Sequence, residues 1–182
     1  MRYTTLGHSG IEVSRLCLGG MSFGEASPDF HQWTIGPDDT RAVIARALDQ
    51  GINFIDTANC YSFGTSEEYI GRALRDLGVA RDKVVLASKV HFNEGGLSAA
   101  AIAREIDGTL KRLGTDYLDL YIIHRFDYDV PMEEAMGALD VTLSPEELDF
   151  IEDSYQPHAL VGPKGRPGEK PLAGTTNVKL TR

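Results

Sequence analysis

The chain has 182 residues, 42% of them hydrophobic and 25% charged, enough for one domain with a real core and short for two. Its net charge of -9 argues against a general nucleic-acid binder, which needs clustered Lys and Arg. No apolar run approaches the ~20 residues of a membrane span, and "MRYTTLGHSG" lacks the apolar stretch of a secretory signal.

"MRYTTLG" and "IEVS" flank the turn signal "HSG" and predict a short β-hairpin. "RLCLGG", Arg15 to Gly20, predicts an apolar strand ending in a glycine pair. Cys17 inside it is expected to be buried as a small hydrophobe. Cys60 is the other cysteine, so there is no disulfide framework, a pattern that fits a reducing cytoplasm. A long loop rich in Gly, Pro, Asp and Ser follows, and it contains Trp33. Pro37 and Asp38 open a predicted helix with Val43, Ala47 and Leu48 on one face and Gly51 as its stop. "INFIDTA" predicts the next strand, and "EEYIGRALRDLG" a helix with Ser66 as its N-cap. "KVVLASKV" is nearly all apolar, as suits a strand covered on both faces. "LSAAAIAREIDGTLKRLG" predicts a helix capped by Ser98 and stopped by Gly114. "YLDLYIIH" predicts a fourth strand of this kind, and "VPMEEAMGALD" a helix with Pro131 in its first turn.

Apolar strands alternating with amphipathic helices predict α/β architecture with parallel βαβ units. The unit length, ~30 residues or slightly more, fits one eighth of a (β/α)₈ barrel. A fifth strand is due after residue 139 and none is written there. "SPEELDFIEDSY" instead predicts one more helix, with Ser144 as cap and Pro145 at its first position. The last stretch, from Pro163, carries Pro and Gly with five basic residues and one acidic, and is expected to be a flexible tail. The expected organisation is therefore one partial barrel domain over 1–162, with a join near 139–141, and a tail over 163–182.

In α/β architectures chemistry collects at the carboxyl ends of the strands. There the sequence places Gly19-Gly20-Met21, Asp56 with Tyr61 five residues on, Lys89, and His124. Singly, each has an ordinary structural explanation: a cap, a solvated lysine, a satisfied histidine. Parallel neighbouring strands bring the four ends to one mouth. Lys89 and Asp56 are expected to pair, and an ammonium beside a phenol favours the phenolate, which suits Tyr61 as a general acid. His124 is placed to hold a carbonyl oxygen. This set suits protonation of that oxygen while a hydride, which no side chain supplies, arrives from a cofactor. A thiol nucleophile at Cys60 with His124 is disfavoured, because nothing in the sequence orients such a pair. His31, His91 and His158 show no ligand spacing, so no metal site is expected.

The chain resembles the aldo-keto reductases, NADPH-dependent (β/α)₈ enzymes. The resemblance runs over residues 1 to about 140. It rests on "LGHSGIEVSRLCLGGMSFG", "GINFIDTANCYSFGTSEEYIGRAL", "VVLASKV" and "LKRLGTDYLDLYIIHRFDYDVPMEEAMGAL". It implies Tyr61 as proton donor, Lys89 and Asp56 as its tuning pair, and His124 as the group that orients a carbonyl substrate. It also implies that Gly20, Met21 and Asp56 touch the nicotinamide half of NADPH. Trp33, in the first loop, is a candidate for lining the substrate mouth, or equally a loop anchor packed on the barrel.

The family pattern departs after "MEEAMGAL". The family's next units carry a Ser and an Asn for the carboxamide, an aromatic that stacks on nicotinamide, and a basic loop for the adenosine phosphate. Here "DVTLSPEELDFIEDSYQPHALVG" resembles the family's C-terminal segment instead. Two readings follow. One is a cytoplasmic carbonyl reductase. The other is a catalytically inactive half-barrel, an association module that forms a homo-oligomer through exposed strand edges.

Overall fold

The hairpin expected at the N-terminus is formed by β1 (Tyr3–Thr5) and β2 (Glu12–Ser14), paired antiparallel. Four strands then pair in parallel in chain order: β3 (Cys17–Gly19), β4 (Phe54–Asp56), β5 (Val85–Val90) and β6 (Leu120–Ile123). They are separated by α1 (Pro37–Asp49), α2 (Thr65–Asp76) and α3 (Ala99–Leu113), and followed by α4 (Met132–Gly137). The structure, a computed structural model, describes residues 1–138. The join near 139–141, the helix expected from Ser144 and the tail over 163–182 lie outside the described residues. Among the described residues, β3 and β6 are the two edges of the parallel sheet, and no helix is long and apolar enough to cross a membrane.

The sheet is covered by helices on one face. Ile55 of β4 and Leu86 of β5 pack there with Ile44 of α1, Ile70 and Leu74 of α2, and Leu113 at the end of α3. Val90 of β5 and Ile102 of α3 form a second cluster with Ala135 of α4. Side chains alternate along a strand, so Cys17, Phe54 and Ile122 fall on the other face. This explains one correction. Cys17 is exposed rather than buried, because its neighbour Leu18 is the residue that packs on the helix-side core.

Two further expectations shift for local reasons. In α1 the buried face is Thr40, Ile44 and Ala47, at i, i+4 and i+7. Val43 is 39% exposed, since it sits one position off that stripe. In α2 the N-cap is Gly64, at φ +93°, not Ser66. The chain enters this helix from a left-handed turn, which glycine adopts without strain. Ser66 is already inside the first turn and fully buried. Its hydroxyl donates to the Gly20 carbonyl at 2.8 Å and lies 2.9 Å from the Thr57 hydroxyl. At α3 the expected cap holds: Ser98 accepts from the Ala101 N–H, and Gly114 closes the helix in the left-handed region.

The hairpin attaches at the amino ends of the strands. Tyr3 Oη donates to the Gly51 carbonyl at 2.8 Å. The Asn53 side chain donates to the Glu12 carbonyl and accepts from the Ser14 N–H. This leaves the carboxyl ends of the strands clear.

A buried ion pair fixes the helices on the sheet. Glu67, in the first turn of α2, is fully buried. It accepts from Ser88 Oγ of β5 at 2.5 Å and from Arg112 Nε of α3 at 2.6 Å. Its position near the helix N-terminus adds a favourable dipole contact. Removing Arg112 would leave a buried carboxylate without its cation, a change that costs about 3–5 kcal/mol in comparable sites. Arg112→Met should therefore lower the unfolding free energy by that order, read as an earlier denaturation midpoint. An unchanged midpoint would show that Glu67 does not depend on Arg112.

Candidate active site

The parallel register sets the site. Gly19 lies opposite Asp56, and Asp56 opposite Ala87, two residues before Lys89. Lys89 in turn lies opposite Ile122 of β6, two residues before His124. Residues two apart share a face, so Asp56, Lys89 and His124 step along one rim of the sheet.

Lys89 is the centre. Its ammonium donates to Asp56 Oδ2 at 2.6 Å, to the Thr57 carbonyl at 2.8 Å and to Tyr61 Oη at 3.3 Å. An ammonium has three N–H donors, and these three acceptors match them. The pair is partly desolvated, with side-chain exposures of 14% for Lys89 and 26% for Asp56. The ammonium also lies 4.9 Å from the centre of the Tyr61 ring.

Tyr61 is held by the turn it begins. Ser62 and Phe63 follow it at φ +46° and +56°. Non-glycine residues in this region carry strain of roughly 1–2 kcal/mol each. Thr65 steadies the turn: its hydroxyl donates to the Ser62 carbonyl at 2.8 Å and accepts from the Glu25 N–H at 2.8 Å.

His124 closes the group. Its backbone N–H donates to the Val90 carbonyl at 3.0 Å. Its ring stands edge-to-face against Tyr61, with centroids 5.5 Å apart, and against Phe92 at 5.1 Å. Burial pushes the imidazole pKa down to about 4, with the Lys89 charge acting in the same direction. His124 is therefore neutral at neutral pH, a hydrogen-bonding group rather than a cation.

The remaining expected residues are placed less centrally. Gly20 is buried, and a Cβ there would come within 3.0 Å of the Asp56 carbonyl oxygen and of Ile70 Cδ1. The strand end and α2 meet over this glycine. Met21 is 44% exposed beside it. Trp33 is 54% exposed and stacks on His31 at 4.4 Å. His31 contacts Phe30, which contacts Phe63, two residues after Tyr61. The first loop is thus connected to the Tyr61 turn through aromatic rings. Among the described residues, no group of three His, Cys, Asp or Glu stands together to hold a metal ion.

The structure adds contacts that spacing along the chain does not reveal. Asn59 Nδ2 donates to Glu105 at 2.9 Å and to Asn93 at 3.2 Å. The Asn59 N–H also donates to the Lys89 carbonyl, so this network braces the backbone at the catalytic candidate. Cys60 Sγ lies 3.9 Å from His124 Nδ1. The sequence offered nothing to orient that pair, and the fold supplies it. A cleft of about 560 Å³ opens elsewhere, lined by Tyr3, Asn53, Val85 and Asp119. It lies at the amino ends of the strands, away from these side chains.

Residues 15–142 match the aldo/keto reductase family, and the chain belongs to that family. It is 39% identical over 178 residues to the aldo-keto reductase AMT2 of Alternaria alternata, covering 82% of this chain and 48% of that protein. It is 37% identical over 174 residues to the versiconal hemiacetal acetate reductase of Aspergillus parasiticus, covering 83% of this chain and 50% of that one. Its fold matches the crystal structure of the thermostable aldo-keto reductase Tm1743 in complex with epalrestat. The TM-score is 0.66 at 35% identity, over 77% of this chain and 48% of Tm1743. The chain spans about half the length of the curated relatives it matches.

The depressed His124 pKa has a consequence for stability. An unfolded histidine binds its proton near 6.5, and the folded one near 4. Between these values the unfolded state binds more protons, so stability falls as pH drops from 6.5 towards 4. In His124→Gln this component disappears. From pH 7 to pH 4 the denaturation midpoint of the wild type should fall relative to that of His124→Gln. A constant difference would show that His124 is not held neutral by its surroundings.

Proposed function

We propose that the strand-end site reduces the carbonyl group of an aldehyde or ketone, with NADPH as hydride source and Tyr61 as proton donor. The observation that carries this reading is the single Lys89 ammonium bonded to both Asp56 and the Tyr61 hydroxyl. When Tyr61 gives its proton to a carbonyl oxygen, negative charge is left on its own oxygen. The ammonium already stands 3.3 Å from that oxygen, so the charge is balanced without rearrangement. Asp56 and the Thr57 carbonyl keep the ammonium in place while this happens. A neutral His124, packed on the Tyr61 ring, is suited to donate a hydrogen bond to the same carbonyl oxygen.

The residues present fit the nicotinamide end of the cofactor. Nothing lies within 4 Å of where a Gly19 Cβ would stand, so a flat ring can approach the backbone at the end of β3. Met21, exposed beside it, continues that surface, Gly20, buried against α2, fixes the backbone path between them, and Asp56 supplies a carboxylate suited to a ribose hydroxyl. NADPH, when bound, supplies the hydride. Trp33 and Phe63, both exposed, would form an apolar rim for the body of the substrate. The reductase names of the relatives agree with this direction of chemistry.

The test is loss of NADPH absorbance with the purified 182-residue chain in the presence of a small aldehyde. Tyr61→Phe should lower the rate by about 10²–10⁴-fold, the usual contribution of a general acid, while leaving NADPH fluorescence quenching intact. A chain that neither quenches NADPH fluorescence nor turns over would overturn this reading for these 182 residues.

A further inference from the structure

Cys60 stands immediately before Tyr61, and its sulfur lies 3.9 Å from His124 Nδ1. The His124 ring is restrained in other ways too. Its backbone is tied to Val90, and Tyr61 and Phe92 flank it at interplanar angles of 84° and 83°. These contacts set the plane of the ring. They leave open which nitrogen carries the proton. A neutral imidazole has one N–H donor and one acceptor nitrogen, and the partner of one nitrogen decides the role of the other.

Two arrangements are available. In the first, Nδ1–H donates to sulfur, and Nε2 presents a lone pair. In the second, the thiol donates to Nδ1, and Nε2 carries the proton. Sulfur is a weak acceptor, whereas an unprotonated imidazole nitrogen is a good one. The first arrangement spends the N–H on the poorer acceptor and turns a lone pair towards any carbonyl oxygen. The second satisfies Nδ1 and keeps a donor on the opposite edge of the ring.

We propose that Cys60 is a positioning residue whose thiol donates to His124 Nδ1 and so keeps the His124 proton on Nε2. This rests on the reading of His124 as the group that grips the carbonyl oxygen, since only an Nε2–H can do so while Nδ1 faces sulfur. Cys60 acts through His124 and does not itself touch the substrate. No bond is made or broken at the thiol, and its proton is shared with Nδ1 rather than transferred.

The tautomer can be read without turnover. Long-range proton–nitrogen correlation spectra of the full chain, with ¹⁵N-labelled histidine at neutral pH, distinguish Nδ1–H from Nε2–H. The His124 signals are assigned by their loss in His124→Gln. The wild type should show Nε2–H. In Cys60→Val, of similar size but without a donor, the Nε2–H to Nδ1–H ratio should fall about threefold to tenfold, the worth of one modest hydrogen bond. Cys60→Ser, which keeps a donor, should restore it. kcat/KM for a carbonyl substrate should follow the same order. Nδ1–H in the wild type, or a ratio indifferent to Cys60→Val, overturns the proposal. If the ratio responds and the wild type still shows no turnover, the reductase reading fails while the thiol–imidazole contact stands.

Discussion

The buried carboxylate of Glu67 is the point on which the geometry of this protein turns. It lies in the first turn of α2, three residues after the glycine that ends the Tyr61 turn. It is bonded to Ser88 on β5 and to Arg112 on α3. Ser88 and Lys89 are consecutive, so they face opposite sides of the sheet. One residue of this dipeptide therefore locks β5 to the helix layer, and the next carries the ammonium of the candidate site. Because Glu67 has no access to water, its two partners cannot be exchanged for solvent. The start of α2 is fixed relative to β5, and with it the turn that presents Tyr61 to Lys89.

The two ion pairs in this arrangement do different work. Glu67–Arg112 is buried on the carboxylate side, and losing a partner there is costly. In Lys89–Asp56 the carboxylate is partly open, 26% exposed against 0% for Glu67, so water can replace part of a lost contact there. The Lys89 interactions are better understood as orientation. Three acceptors meet three donors, so the ammonium has one direction to face. His124 complements this electrically. Burial keeps the nearby imidazole neutral, and the Lys89 ammonium acts in the same direction. One cation thus touches the Tyr61 hydroxyl and bears on an uncharged imidazole beside it.

The sequence makes the strand and helix order plain, because period and punctuation are local. The hairpin, the parallel strands, the Ser98 cap and the Gly114 stop follow from residues within a few positions of each element. Asp56, Lys89 and His124 are legible as a set because each lies at the end of an apolar run, and parallel strands bring such ends together, while Tyr61 is legible from its place in the loop after Asp56. What the sequence hides depends on register and on distant partners. Glu67 sits in "SEEY", which reads as a solvated helix start until Arg112, 45 residues away, is brought to it. Ser66 looks like a cap, yet the left-handed Ser62-Phe63-Gly64 turn moves the helix start forward and leaves its hydroxyl for Gly20. Cys17 looks buried by its apolar neighbours, but alternation turns it to the face without helices. Cys60 and His124 are 64 residues apart, and only the β4–β5–β6 register makes them neighbours.

The same register explains why Asp56, Tyr61, Lys89 and His124 form a unit of their own. Asp56 ends β4, Lys89 lies in β5, His124 follows β6, and Tyr61 sits in the turn between β4 and α2. Each strand in this set is hydrogen-bonded to the next, and the bracing contacts come from α2, α3 and the loops between them. The side-chain hydrogen bonds of Lys89 all run to Asp56 at the end of β4 and to Thr57 and Tyr61 just after it. The end of β3 is different in kind. Gly20 is buried where the strand end meets α2, and Met21 is exposed beside it. This edge is set by helix packing, whereas the Asp56–Lys89–Tyr61 geometry is set by hydrogen bonds to one ammonium.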